Sequence, residues 1–202
     1  VDISGFYQSD EKAYDKFNGI WRFGFNISNL GPRMSYDELG KKYFIPTNFK
    51  IGSAFDFIFD SANKLSLNLE LNKLLVPTPS VPILNSNNQI IGYEQADVSF
   101  LSGVFKSFGD APDGFSEEMK EITLSLGLEY IYNDSFALRM GYFGENEIKG
   151  ARKYFTFGTG FNLNEIDLDL SYLLSTSEVI SPLENTLRFS FTYNFNYFII
   201  IN

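Results

Sequence analysis

The sequence predicts an all-β protein, a transmembrane antiparallel β-barrel of which about nine strands are visible. Apolar and polar residues alternate through most of the chain, which is the period of a strand with one apolar and one polar face. Phe, Tyr and Trp make up 17% of the residues, yet the mean hydropathy is near zero, as expected for a wall between lipid and water. Short turns also alternate with long connections, which is typical of outer-membrane barrels.

The first half of the chain contains a partial strand and three complete ones. VDISGFYQ, at residues 1–8, reads as the end of a strand, so we expect the chain to begin within a larger barrel. The complete strands are expected at residues 19–30, 48–59 and 65–72. Their apolar faces carry large side chains such as Trp21, Phe55 and Leu67. The opposite faces carry the charged residues Arg22, Lys50, Asp56 and Glu70.

The second half of the chain contains five more alternating segments. They are expected to form strands at residues 122–130, 136–142, 155–163, 166–172 and 187–195. Their polar faces carry Glu129, Arg139, Asp167, Asp169 and Arg188. Gly158 and Gly160 lie on this same face, where they leave room for something bulky or mark a bend.

The connections between these strands sort into two kinds. Residues 60–64, 133–134 and 164–165 are tight turns rich in Asn, Asp and Ser. Residues 31–47, 73–120, 144–152 and 175–185 are long connections. Each strand is close to the roughly 9–11 residues that cross a bilayer when tilted. We therefore predict a single barrel region over residues 1–202, with the long loop 73–120 outside the cell and a short helix at residues 116–121.

The composition excludes several classes of function. The chain has no Cys and no His, which removes disulfides, the common Ser-His-Asp and Cys-His arrangements and the usual zinc sites. Its net charge of -9 argues against binding to nucleic acid. We expect no catalysis, no cofactor and no metal. A soluble β-sandwich would also alternate, but it would not place aromatic residues on the outward face of nearly every strand.

If the apolar face meets lipid, the polar face lines the lumen. The predicted lumen residues are Arg22, Lys50, Asp56, Glu70, Glu129, Arg139, Asp167, Asp169 and Arg188. Both signs of charge are present, so one interpretation is a set of ion pairs that stabilises a closed barrel. The other is a polar conduit or a socket for an inserted segment of a partner.

Two stretches of the long loop are candidate partner-binding segments. SFGDAPDGFSEEMKE, at residues 107–121, combines aromatic anchors with acidic residues, whereas LLVPTPSVPIL, at residues 74–84, is apolar and stiffened by prolines. The candidate contact residues are Phe105, Phe108, Asp110, Pro112, Phe115, Glu117, Glu118, Leu75, Val76, Pro77 and Pro79. The alternative interpretation is that these stretches form a lid over the barrel mouth.

Several motifs resemble one family closely. They are NISNLGPRMSY, LNKLLVPTPS, SFGDAPDGFSEEMKEI, LGLEYIYNDSFALRMGYF, KGARKYFTFGTGF and SPLENTLRFSFTYNF, which together span nearly the whole chain. They are similar to the PorV family of the Bacteroidetes type IX secretion system, which is related to the FadL transporters. The resemblance implies a FadL-like barrel of 14 strands, of which this chain holds the C-terminal part.

The resemblance also implies a function without catalysis. Such a protein receives cargo from a large outer-membrane translocon barrel through the cargo's C-terminal signal domain, and it closes the translocon's lateral opening. It then delivers the cargo to an attachment complex with a sortase-like protein, among membrane lipid and lipopolysaccharide. The alternative function is a FadL-like channel for hydrophobic small molecules. That channel needs an apolar lumen, so the polar residues expected there favour secretion.

Overall fold

The computed structural model describes residues 1–35, 42–77, 82–93, 98–111, 114–163, 165–178 and 184–195. Its strands are β1 Ile3–Gln8, β2 Lys12–Ala13, β3 Asn18–Ser28, β4 Met34–Ser35, β5 Lys42–Tyr43, β6 Asn48–Ile58, β7 Asn63–Leu74, β8 Pro82–Leu84, β9 Ile90–Tyr93, β10 Ile122–Tyr132, β11 Phe136–Gly144, β12 Lys153–Leu163, β13 Ile166–Ser175 and β14 Leu187–Tyr193. The helices are α1 Phe100–Lys106, α2 Phe115–Glu118 and a 3₁₀ turn at Met119–Glu121. Among the described residues, no helix has both the length and the apolar character needed to cross a membrane.

The main sheet follows the order of the chain. Its strand order is β1-β3-β6-β7-β10-β11-β12-β13-β14, with the short β2 paired to β3. The all-β fold class and the expected nine strands are therefore confirmed. The sequence did not predict the two small hairpins, β4–β5 and β8–β9, which form within the long connections. The predicted short helix at residues 116–121 appears as α2 and the 3₁₀ turn.

Strand register places apolar and polar residues on opposite faces, as the alternation predicts. Across β10 to β14 one row of partners runs Leu128, Met140, Phe157, Tyr172 and Leu187. The neighbouring row runs Glu129, Arg139, Gly158, Ser171 and Arg188. Members of the apolar row such as Met140, Phe157 and Leu187 are exposed. A large exposed apolar face is unfavourable in water and is the face expected to meet lipid.

The chain divides into two compact units. The first consists of Val1–Ser4, Phe25–Lys50 and Asn72–Ile122. It contains both small hairpins and all the helical segments of the described residues. The second consists of Gly5–Gly24, Ile51–Leu71 and Thr123–Asn202, and most of the long strands contribute to it.

Aromatic side chains of the second unit pack against one another on the apolar face. Trp21 lies 4.6 Å from Phe55 between ring centroids, and Phe55 lies 4.6 Å from Phe57. Phe17 joins the cluster at 5.0 Å from Phe57. Gly19 makes this packing possible, because a Cβ there would lie 2.4 Å from the Phe55 ring. Aromatic pairs of this kind add about 0.5–1.5 kcal/mol each beyond simple burial.

The lipid-facing assignment predicts a fluorescence result. Trp21 is the single tryptophan of the chain and is exposed on the apolar face. We expect lipids with brominated acyl chains to quench its emission strongly in reconstituted bilayers. As a control, Trp21→Phe combined with Ser190→Trp moves the tryptophan to the polar face, where quenching should be weak. Equal quenching of the two proteins would contradict the face assignment.

Candidate functional site

Helix α1 carries buried residues on one side and exposed apolar side chains on another. Ser99 caps the helix, since its Oγ accepts a hydrogen bond from the Ser102 backbone N–H at 3.3 Å. Gly103 and Val104 are buried. Gly103 is required here because a Cβ would lie 2.6 Å from the Phe44 ring. Residues 101, 105 and 108 have the i, i+4 and i+7 spacing of a helix face, so their side chains lie together on another side.

Five large apolar side chains of residues 101–119 are exposed, and we call them the loop apolar surface. They are Leu101, Phe105, Phe108, Phe115 and Met119. Phe105 and Phe115 are 74% and 80% exposed, respectively. Phe108 also packs edge-on against Phe49, with ring centroids 6.2 Å apart. Exposed aromatic side chains concentrated in one segment are a common mark of a protein contact site.

A buried ion cluster lies beneath the segment that carries Phe115 and Met119. Lys73 Nζ lies 2.7 Å from Glu118 Oε2 and 2.6 Å from Glu121 Oε2. The other oxygen of Glu118, Oε1, accepts a hydrogen bond from the Ala111 backbone N–H at 2.8 Å. The Lys73 and Glu118 side chains are only 8% and 7% exposed. The segment is therefore joined to the end of strand β7 by charge-assisted hydrogen bonds.

The base of the long loop is held by backbone contacts. The Leu75 N–H donates to the Thr47 carbonyl at 2.7 Å, and Thr47 Oγ1 donates to the Asn29 carbonyl at 3.0 Å. Leu75 and Thr47 are both buried. At the end of α1, the buried Ser107 donates from Oγ to the Val104 carbonyl at 2.7 Å. These contacts give the loop a fixed starting point.

The predicted loop residues fall into three groups. Phe105, Phe108 and Phe115 are exposed, and Asp110, Glu117, Val76 and Pro77 are partly exposed. Leu75 and Glu118 are buried, which gives them a supporting position rather than a place on the surface. Pro79 and Pro112 lie outside the described residues. Sequence reasoning missed three residues of this region, namely Leu101, Met119 and Lys73.

Two signals in the sequence pointed to the missed residues. Leu101 stands four residues before Phe105 and seven before Phe108, which is the spacing of one helix face. Lys73 continues the alternating row of Leu65, Leu67, Leu69 and Leu71. A lysine in a row of leucines needs a partner for its charge, because an unpaired buried cation is costly.

Asp56 is the centre of a charge cluster on the first strands, and Arg22 is the other predicted lumen residue shown to contact it. Its carboxylate pairs with the Arg22 guanidinium and accepts a hydrogen bond from Ser66 Oγ at 2.6 Å. Lys64 Nζ lies 3.9 Å from its second oxygen. Asp56 is 3% exposed, so its charge depends on these partners. Lys50 and Glu70 are partly exposed on the same strands.

A second charge cluster crosses strands β10 to β13. Arg139 Nε lies 2.5 Å from Glu129 Oε2, and its Nη1 lies 2.6 Å from Asp169 Oδ1. To reach Asp169 the arginine passes over strand β12 at its glycines. A Cβ at Gly160 would lie 2.9 Å from Arg139 Nη1 and 2.8 Å from Asp169 Oδ1. At Gly160, the bulky group for which the glycine leaves room is therefore the Arg139 side chain.

The remaining predicted lumen residues lie nearby on β13 and β14. Asp167 accepts hydrogen bonds from Asn162 Nδ2 at 2.6 Å and from Asn194 Nδ2 at 2.9 Å. Arg188 is exposed and stands opposite Ser171 in the register. Charged and amide side chains on this face are thus joined across strands. Such a face is suited to stabilising a wall and presents little apolar surface to a hydrophobic ligand.

The connection between β11 and β12 folds on a different ion pair. The buried Glu145 accepts hydrogen bonds from the guanidinium of Arg152, with Nε 2.8 Å from Oε2, and this contact raises the pKa of Arg152. A hydrogen bond from Lys153 lowers the pKa of the exposed Glu147. Ile148 in this connection is 74% exposed. It therefore provides an exposed apolar control outside the loop apolar surface.

Comparison with protein families gives a match over the first part of the chain. Residues 1–81 match the family model described as Type IX secretion system protein PorV. The matched segment includes the Arg22–Asp56 pair and Lys73 of the loop ion cluster. No curated protein matches the chain. Over residues 1–81, this match confirms the resemblance recognised from the sequence motifs.

Proposed function

Starting from the assignment to the PorV family through residues 1–81, we propose that this chain binds secreted cargo by the cargo's C-terminal signal domain. The family is a component of the type IX secretion system, located in the outer membrane. The proposed role is non-enzymatic. In this proposed role, residues 1–202 form one barrel region and the long loop 73–120 is extracellular. Membrane lipid and lipopolysaccharide surround the apolar wall.

The observation that carries this proposal is the loop apolar surface on a fixed base. A partner that covers side chains as exposed as Phe105 and Phe115 removes their apolar surface from water, which favours binding. Aromatic residues are also favoured as anchors at the centre of protein interfaces. Asp110 and Glu117, both partly exposed, add negative charge that would attract and orient a basic partner.

The remaining steps of the proposed function follow the family role. The chain closes the lateral opening of the large translocon barrel, receives cargo there and carries it to the attachment complex with its sortase-like protein. The paired charges of Arg22 and Arg139 on the polar face support this role over the FadL-like channel. A channel for hydrophobic molecules requires an apolar path along that face.

A double substitution tests the loop apolar surface. We expect Phe108→Ala with Phe115→Ala to lower the recovery of cargo on affinity purification by about tenfold, because two anchors are lost. Recovery is measured in mild detergent from the outer membrane, and heat-modifiability on gels reports whether the barrel is intact. Ile148→Ala, which removes an equally exposed side chain elsewhere, should leave recovery unchanged. Full recovery with the double variant would reject this surface as the cargo site.

Mass spectrometry of the purified protein separates the two functions. Co-purification of a very large barrel, or of secreted proteins that retain a C-terminal signal domain, would support the secretion role. A lone barrel that holds only lipid or fatty acid would favour the FadL-like channel instead. In that outcome the long loop would act as a lid over a ligand path.

A further inference from the structure

We propose that Lys73, Glu118 and Glu121 form a positioning device that holds Phe115 and Met119 of the loop apolar surface in their binding conformation. This inference rests on the proposed function, since it concerns the same surface. It assigns a role to Lys73, a residue that stands at the end of a strand and does not itself belong to the surface. The three side chains act through the segment that they fix.

The contacts of the cluster join four separate points of the chain. Lys73 closes strand β7, which is part of the main sheet. Its ammonium binds Glu118 on α2 and Glu121 on the following 3₁₀ turn. Glu118 in turn holds the Ala111 backbone through its second oxygen. One carboxylate thus fixes both the start and the middle of the segment that presents Phe115.

The helical turns of the segment are too short to be stable by themselves. Helix α2 has four residues and the 3₁₀ turn has three, far fewer than an isolated helix needs for stability in water. Phe115 and Met119 are exposed and contribute little packing. The N-cap position of α2 is Gly114, which has no side chain to cap the helix. Among the contacts of the described residues, the buried ion cluster is the one that ties this segment to strand β7.

The balance of charges in the cluster makes Lys73 its most important member. One ammonium lies between two carboxylates, and the Glu118 side chain is 7% exposed. Removing the ammonium would leave two carboxylates close together with no cation between them, which a buried site disfavours strongly. Removing one carboxylate would leave the other still paired. Loss of Lys73 should thus open the segment more than loss of either glutamate.

The test is hydrogen exchange together with cargo recovery on the whole purified chain. In Lys73→Met, which keeps the length of the aliphatic stem, we expect amides of residues 111 and 114–121 to exchange about tenfold faster or more. Recovery of cargo should fall with it, while exchange in β11 to β13 and heat-modifiability stay as in the parent. Lys153→Met is the matched control, because it removes an ammonium from the exposed pair with Glu147.

Glu118→Gln is the second variant and covers the case in which Lys73→Met does not fold. Its amide oxygen still accepts from Ala111, so only the ionic contact is lost, and we expect a smaller increase in exchange. Parent-like exchange at residues 111–121 in both variants would overturn the proposal. Faster exchange with undiminished cargo recovery would overturn the positioning role as well. A failure of the proposed function would be recognised separately, because the double variant Phe108→Ala, Phe115→Ala would then recover cargo in full.

Discussion

Asp56→Ala is expected to lower the free energy of unfolding by about 3 kcal/mol, the largest effect of any single substitution on the polar face. Asp56 is 3% exposed and is the common partner of Arg22, Ser66 and Lys64. Truncation removes the acceptor from the Ser66 hydroxyl and leaves the Arg22 guanidinium without its carboxylate. Both groups lose hydrogen bonds that water cannot fully replace. Reversible urea unfolding in lipid or detergent measures the change.

Two further variants show whether charge or hydrogen bonding is responsible. Asp56→Asn keeps an oxygen that can accept from Ser66, so we expect about half of the loss seen with alanine. Glu147→Ala removes a carboxylate from the exposed pair with Lys153 and should change the unfolding free energy very little. An equal loss in Asp56→Ala and Glu147→Ala would contradict the importance of burial at Asp56.

Arg139→Ala is expected to lower the free energy of unfolding by about 1–2 kcal/mol, because two partly exposed ion pairs are lost. The side chains of Arg139, Glu129 and Asp169 are partly exposed, so their attraction is reduced by solvent relative to a buried cluster. The loss still exceeds that of a single surface pair, because one guanidinium bridges two carboxylates. Phe136→Ala provides the contrast on the opposite face. It removes a ring that lies 5.2 Å from Phe161 and should mainly weaken contact with lipid.

The two substitutions therefore differ in their dependence on the medium. The loss of unfolding free energy caused by Arg139→Ala should persist in detergent. The loss caused by Phe136→Ala should instead change with the acyl chains present. A double-mutant cycle with Gly160→Leu adds a check, since the leucine would occupy the path of the Arg139 side chain. The loss of unfolding free energy in the double variant should then be smaller than the sum of the losses in the two single variants. Identical behaviour of Arg139→Ala and Phe136→Ala would contradict the face assignment.

The main strands were predictable because one physical pattern determines them. A strand with lipid on one side and polar groups on the other must alternate, and β6, expected at residues 48–59, forms at Asn48–Ile58. Gly158 and Gly160 were also recognised as unusual from their place on the polar face. What the pattern did not give was their occupant, because it depends on the register that brings Arg139 opposite Gly158.

The loop was harder to predict for a different reason. Helix α1 spans seven residues, so the helical spacing of Leu101, Phe105 and Phe108 covers only about two turns and does not by itself establish a helix. By its sequence context, Glu118 is expected to be a surface carboxylate. Its burial depends on the return of the chain to Lys73, which lies 45 residues earlier. Such pairing depends on how a long connection folds back. Local composition does not predict this pairing. Aromatic content therefore identified the exposed residues better than charge identified the buried ones.

Strands β7 and β10 are neighbours in the sheet, although residues 75–121 separate them in the chain. In topological terms these residues are an insertion into a β-hairpin. The hydrogen-bonding register of the wall is set by the strands on either side, so the insertion can change in length and sequence without moving any strand. Because the strand pairing of the wall does not depend on the insertion, we expect related proteins with the same wall to diverge most within this one segment.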